Sequence, residues 1–203
     1  LKNGQEVYDF AHNSIVTVKV FVNHEPAGSG SGSGSVISED ADGNVYILTN
    51  RHVVDDHGKK GDRVRFEIEQ YSGPKFNAVL DFYSREHDLA ILTVKEMAAY
   101  TEPLNFMLKK DLSVGQPVYA VGSPYGLRST FTAGVISALR DTRLQTDATT
   151  ASGSSGGPLL ERHGAICAVA TSSYRTKDLG FAIYADTVLE VLEERMEHIE
   201  KSP

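Results

Sequence analysis

Short apolar runs broken by polar turns fill most of this chain. Residues 15–22 and 45–49 are β-branched and apolar. Residues 63–70 alternate, with Val64, Phe66 and Ile68 on one side and Arg65, Glu67 and Glu69 on the other, the pattern of a half-buried strand. Further strands are predicted at 76–82, 89–94, 117–121, 131–139, 165–171 and 180–183. No helical period alternates with them, which argues against a doubly wound α/β sheet and for an all-β fold. The tail differs. Val188, Leu192, Met196 and Ile199 recur near helical spacing, and Thr187 followed by Glu190 fits a capping box, so one C-terminal helix is predicted over 187–201. Residues 28–35 alternate glycine and serine with no apolar position and read as a flexible surface loop.

Composition narrows the classes. The 203 residues suit one all-β domain or a close pair of small barrels, and 40% hydrophobic content is enough for a packed core. A net charge of -7 without basic runs makes nucleic acid a poor partner. No apolar run approaches the roughly 20 residues of a membrane-spanning helix. Cys167 is the one cysteine, so neither an intramolecular disulfide nor a cysteine-built zinc cage is available, and it sits in an apolar strand as a core residue. The chain starts at Leu1 with no signal peptide, so a targeting segment is expected to have been removed or to lie outside it.

Three segments carry chemistry. The run Leu48-Thr49-Asn50-Arg51-His52 places a histidine just past a strand. His87-Asp88-Leu89 places an acid just before one. Ser152-Gly153-Ser154-Ser155-Gly156-Gly157-Pro158 is a glycine-rich turn. Acyl transfer needs an exposed hydroxyl and two backbone N–H groups aimed at the developing oxyanion, and such a turn supplies both. Gly153 can take a positive φ that turns its N–H inward, and Ser155 offers the second N–H, with Ser154 between them. Ser155 is the nucleophile, His52 the base that takes its proton, and Asp88 the group that fixes the imidazole tautomer. Asp81 is the competing acid, inside a strand pattern. Asp147 reads as support for the fold near the site. His52, Asp55, Asp56 and His57 match no standard metal-ligand spacing and read as a solvated turn; neither metal nor cofactor is expected. His12, His24, His87, His163 and His198 read as surface residues, and the acidic positions of the last helix as its solvent face.

The order His, Asp, Ser and the motifs Thr49-Asn50-Arg51-His52-Val53, Asp88-Leu89-Ala90-Ile91-Leu92 and Gly153-Ser154-Ser155-Gly156-Gly157 resemble the trypsin-like peptidases, and more closely their HtrA/Deg branch. Val121-Gly122-Ser123-Pro124-Tyr125-Gly126-Leu127, Leu144-Gln145-Thr146-Asp147-Ala148 and Gly180-Phe181-Ala182-Ile183 agree, and the similarity runs from about Ile15 to Leu192. The resemblance implies a chymotrypsin-like fold of two six-stranded antiparallel β-barrels, over about 12–110 and 111–184, with the boundary near 110–114 and the helix after it. It implies a serine endopeptidase acting on polypeptides, protein quality control outside the cytoplasm or in an organelle, and a homotrimer built through the N-terminal segment with Tyr8 and Phe10 as contacts. Ser154 stands where the family carries Asn or Asp, so activation by an ion pair to a freed N-terminus is not expected. The PDZ modules usual in the family are not in this chain.

By the same resemblance Thr149, Thr150 and Ala151 form one wall of the specificity pocket and Ala170, Thr171 and Ser172 the other. Thr149 at the pocket base offers no carboxylate for a basic side chain, so small or medium apolar residues are the expected substrates. Two rival functions stay open: a silent binding or chaperone module that keeps the fold, and a serine esterase, since Gly153–Gly157 also reads Gly-x-Ser-x-Gly. The esterase reading requires a catalytic histidine after the serine, and there only His163 and His198 follow.

Overall fold

The apolar and alternating runs form antiparallel strands because their branched side chains suit a pleated, half-buried surface. The computed structural model describes residues 3–23, 30–55, 62–71, 73–95, 97–123, 127, 129–148, 152–173 and 179–201. Strands β1 (Ile15–Val22), β2 (Gly30–Glu39), β3 (Val45–Thr49), β4 (Val64–Gln70), β5 (Lys75–Tyr83) and β6 (Ala90–Val94) close one barrel in the order β1-β2-β3-β6-β5-β4. Strands β7 (Pro117–Gly122), β8 (Thr130–Leu139), β9 (Leu144–Thr146), β10 (Pro158–Leu160), β11 (Ile166–Ser173) and β12 (Gly180–Tyr184) close a second in the order β10-β11-β12-β9-β8-β7. Among the described residues each strand is thereby paired on both sides. This is the chymotrypsin-like double barrel.

Each barrel fills its own interior, one around Val18, Ile47 and Leu92, the other around Val118, Leu144 and Leu159. A third apolar cluster joins them, with Ile15, Leu48 and Leu89 from the first barrel against Val121, Leu160 and Val169 of the second. Two helices seal this seam. Helix α1 (Gly4–Ala11) inserts Val7 and Ala11, and helix α3 (Ala185–Lys201) inserts Val188 and Val191. The site lies along the same seam.

The structure corrects several expectations. Residues 30–35 are part of β2, mostly buried, and not a surface loop; residues 28 and 29 lie outside the described residues. A Cβ on Gly32 would lie 2.6 Å from Val53, and one on Gly34 would lie 2.8 Å from Ile47, so these positions exclude any side chain while the chain still pairs with β1 and β3. The last helix begins at Ala185, not Thr187, running straight on from β12; Asp186 in its first turn accepts from Lys109 N–H at 2.7 Å. Helix α1 was not predicted, although Asn3 and Glu6 form a reciprocal capping box. Glu69 is not on a solvent face: it is 4% exposed and paired with Lys19 and Lys75. Burial opposes its ionisation, and the two lysines outweigh that and hold its pKa below the usual carboxylate value. Tyr8 packs edge-on to Phe131 with its hydroxyl on Ser129, and Phe10 is 45% exposed.

Candidate active site

His52 stands in a short helical turn, α2 (Arg51–Asp55), that follows β3. Its neighbours tie that turn to the loop before β6. Buried Asn50 donates from Nδ2 to the Asp88 carbonyl at 2.8 Å, and Arg51 donates to the carbonyls of Ser84 and Arg85. Asp88 is thereby held against His52. Its Oδ1 accepts the His52 backbone N–H at 2.9 Å and its Oδ2 accepts the ring at Nδ1 at 2.7 Å. A third donor, the Thr171 hydroxyl, reaches Oδ2 at 2.7 Å. Burial works against the ionised carboxylate, but the donors from His52 and Thr171 prevail and lower its pKa. Asp88 is therefore an anion at neutral pH. A neutral imidazole that donates from Nδ1 carries its lone pair on Nε2, the form required of a general base.

The 152–157 turn shows why glycine recurs there. Gly153 has φ 96° and Gly156 has φ 84°, both in the region that side chains avoid. Three successive carbonyls of the turn are held by hydrogen bonds. Gly153 C=O accepts from the Ser33 hydroxyl at 2.7 Å, Ser154 C=O from Gly157 N–H at 2.9 Å, and Ser155 C=O from Ser33 N–H at 2.8 Å. In a trans peptide the N–H points opposite to the C=O, so the Ser155 N–H is directed away from Gly157. Among the described residues, the N–H groups of Gly153 and Ser155 donate to no internal acceptor. The Ser155 hydroxyl makes a long contact, 3.4 Å to Thr171 C=O. Thr171 thus touches both Ser155 and Asp88. It is the extra residue of the bulge between Ala170 and Ser172, and such a bulge re-aims a side chain.

Gly156 offers a direct check. A Cβ there would press into the Ser33 carbonyl, the Thr49 hydroxyl and the Asn50 amide. With a positive φ and an overlap combined, Gly156→Ala is expected to cost about 2–5 kcal/mol of stability. Denaturant midpoints measure it, and a wild-type midpoint would refute the packing described.

The remaining candidates separate clearly. Thr149, Thr150 and Ala151 lie outside the described residues, as do His24, Asp56 and His57. Ala170 is buried, bonding Gly156 and Gly157 through its backbone, and Ser172 pairs with Phe181 on β12. The Thr171 hydroxyl donates to Asp88, and its carbonyl lies beside the Ser155 hydroxyl. Asp81 turns instead to Arg195 of α3. Asp147 accepts from Val135 N–H at 2.7 Å on β8. Burial beside the Glu161 charge pushes the Cys167 thiol up to about 12, which removes it as a nucleophile. His163 bonds Glu161, and His198 lies against Phe82. Sequence reasoning missed two supports of the site, Ser33 and the hydroxyl role of Thr171. Glu86, His87 and Glu194 bring possible ligand atoms within 4.8 Å of one another, beside a groove between β5 and α3 that is separate from Ser155.

Residues 32–169 match the family described as Trypsin-like peptidase domain. "Protease Do-like 1, chloroplastic" of Arabidopsis thaliana is 34% identical over 175 residues, which is 78% of this chain and 38% of that protein. A "Probable periplasmic serine endoprotease DegP-like" of Chlamydia trachomatis is 35% identical over 150 residues, 70% of this chain and 28% of that protein. The chain thus spans well under half the length of these two relatives. Among solved structures, the serine endoprotease from Yersinia pestis superposes with a TM-score of 0.81 at 29% identity, covering 97% of this chain and 68% of that one.

Proposed function

From a chain that belongs to the trypsin-like peptidases, on their HtrA/DegP side, we propose a serine endopeptidase in which Ser155 attacks, His52 carries the proton and Asp88 orients His52. The observation that supports it most is the double grip of Asp88 on His52, through the backbone N–H and the ring, in a site that Thr171 ties to Ser155. In this reading Ser155 Oγ attacks the scissile carbonyl as His52 Nε2 takes its proton. The oxyanion that forms is met by the N–H groups of Gly153 and Ser155, with Ser154 holding the turn between them. His52 then gives the proton to the departing amine. Water, deprotonated by His52, releases the acid product and restores Ser155.

The substrate is a polypeptide with an exposed or unfolded segment, cut after a small or medium apolar residue. Thr149 in place of an acid supports that preference, with Thr150, Ala151, Ala170, Thr171 and Ser172 as the other pocket residues. The relatives' names, chloroplastic and periplasmic, favour an organellar or extracytoplasmic compartment and a role in protein quality control. Casein hydrolysis with mapping of the cut sites tests the reading. Cleavage mostly after Val, Ala or Leu is expected. A map dominated by Lys or Arg would remove the pocket assignment. Intact casein with ester substrates consumed would move the chain to the esterases.

A further inference from the structure

The glycine-serine strand β2 contains one hydroxyl whose position no barrel requirement explains. Ser33 is fully buried. Its hydroxyl donates to Gly153 C=O at 2.7 Å and accepts from Ser123 N–H at 2.8 Å, while its own N–H donates to Ser155 C=O at 2.8 Å. Its carbonyl accepts from the Thr49 hydroxyl at 2.7 Å. One residue of the first barrel therefore holds two carbonyls of the 152–157 turn in the second, on either side of the Ser154–Ser155 peptide.

We propose that Ser33 is a positioning residue for the oxyanion-binding turn, its hydroxyl fixing the Gly153–Ser154 peptide so that the flanking N–H groups stay aimed at the reacting carbonyl. This inference rests on the endopeptidase reading. The geometry is specific. A peptide plane rotates as a unit. With Gly153 C=O bound to Ser33 Oγ and Ser154 C=O bound to Gly157 N–H, neither the 153–154 nor the 154–155 plane can turn without breaking a buried hydrogen bond. Gly153, at φ 96°, has no Cβ to resist such a turn, so the resistance must come from its partners. Glycine or alanine at 33 would keep the backbone bond to Ser155 and lose the bond to Gly153. A side chain grown from Gly122 or Gly157 would meet Ser33, so the fit around its hydroxyl is close.

The test compares Ser33→Ala with Thr17→Val. The Thr17 hydroxyl is equally buried and bonds the Ser123 hydroxyl, but it does not touch the turn. In Ser33→Ala, kcat on a peptide anilide is expected to fall about 10- to 100-fold with KM within about threefold, short of the loss seen when an oxyanion donor is deleted outright. Affinity for a peptide boronic acid, which forms the tetrahedral adduct, should fall by the same factor as kcat/KM, and a cleaved product peptide should bind as before. Thr17→Val should keep kcat within about threefold. An unchanged kcat in folded Ser33→Ala, or equal losses in the two variants, would overturn the inference. Failure of both Ser33→Ala and Ser33→Gly to fold would also overturn it, by assigning the hydroxyl to barrel assembly. A wild-type chain that cleaves no peptide and takes no fluorophosphonate would instead sink the endopeptidase reading.

Discussion

Ser155→Ala is expected to lower casein hydrolysis by about 10⁴-fold or more and to abolish labelling by a fluorophosphonate, which in the parent should map to Ser155 and not to Ser154. The loss should be chemical and not structural. Among the described residues the hydroxyl makes only the 3.4 Å contact with Thr171, while the turn is shaped by backbone groups that the substitution leaves in place. Stability should therefore stay within about 0.5 kcal/mol of the parent, as for a substitution that breaks no packed or buried contact. Activity within tenfold of the parent would exclude Ser155 as nucleophile. A parent that takes no label would favour the silent binding module.

The segments that the residue pattern made legible are those whose chemistry repeats locally. Val45–Thr49 forms a strand with the bounds its branched run implies, the segment of His52 is bonded to that of Asp88, and Thr171 touches both Asp88 and Ser155. What escaped was coded in other terms. The alternation of 30–35 is a period of two, but written in small residues: Gly32 and Gly34 face Val53 and Ile47 too closely for any side chain, while Ser33 and Ser35 are buried on the other side. A strand whose requirement is the absence of side chains gives no hydrophobic signal. The partner of Asp88 at Thr171 escaped for a different reason. Along β11 its hydroxyl reads as one polar atom in an apolar run, and only the bulge that leaves Thr171 unpaired turns it to the acid. The capping box of α1 was readable at Asn3 and Glu6; the helix is a mere eight residues long, and its apolar face is completed by the barrels.

Asp88→Asn should reduce kcat by about 10⁴-fold, the scale expected when the triad acid loses its charge and its acceptor pattern. The reason can be counted on the carboxylate. Two oxygens serve three donors: the His52 N–H, the His52 ring and the Thr171 hydroxyl. An amide has one oxygen, and its NH₂ group is itself a donor, so at least one of the three loses its acceptor. If the ring loses, it is driven to the tautomer with its proton on Nε2, which cannot accept from Ser155; if another donor loses, the grip that orients the turn at Arg51–Asp55 is broken. Stability should change with pH in a set direction. The donors from His52 and Thr171 hold the pKa of Asp88 below the usual aspartate value, so the folded state binds fewer protons there than the unfolded chain. Its contribution is complete above about pH 4 and is lost as pH falls through the lowered value. The stability gap between parent and Asp88→Asn should therefore close as pH falls below about 4, as followed by denaturant midpoints across pH. A gap that does not close as pH falls below about 4 would contradict the lowered pKa of Asp88, and a kcat within tenfold of the parent would return Asp88 to the role of a loop residue.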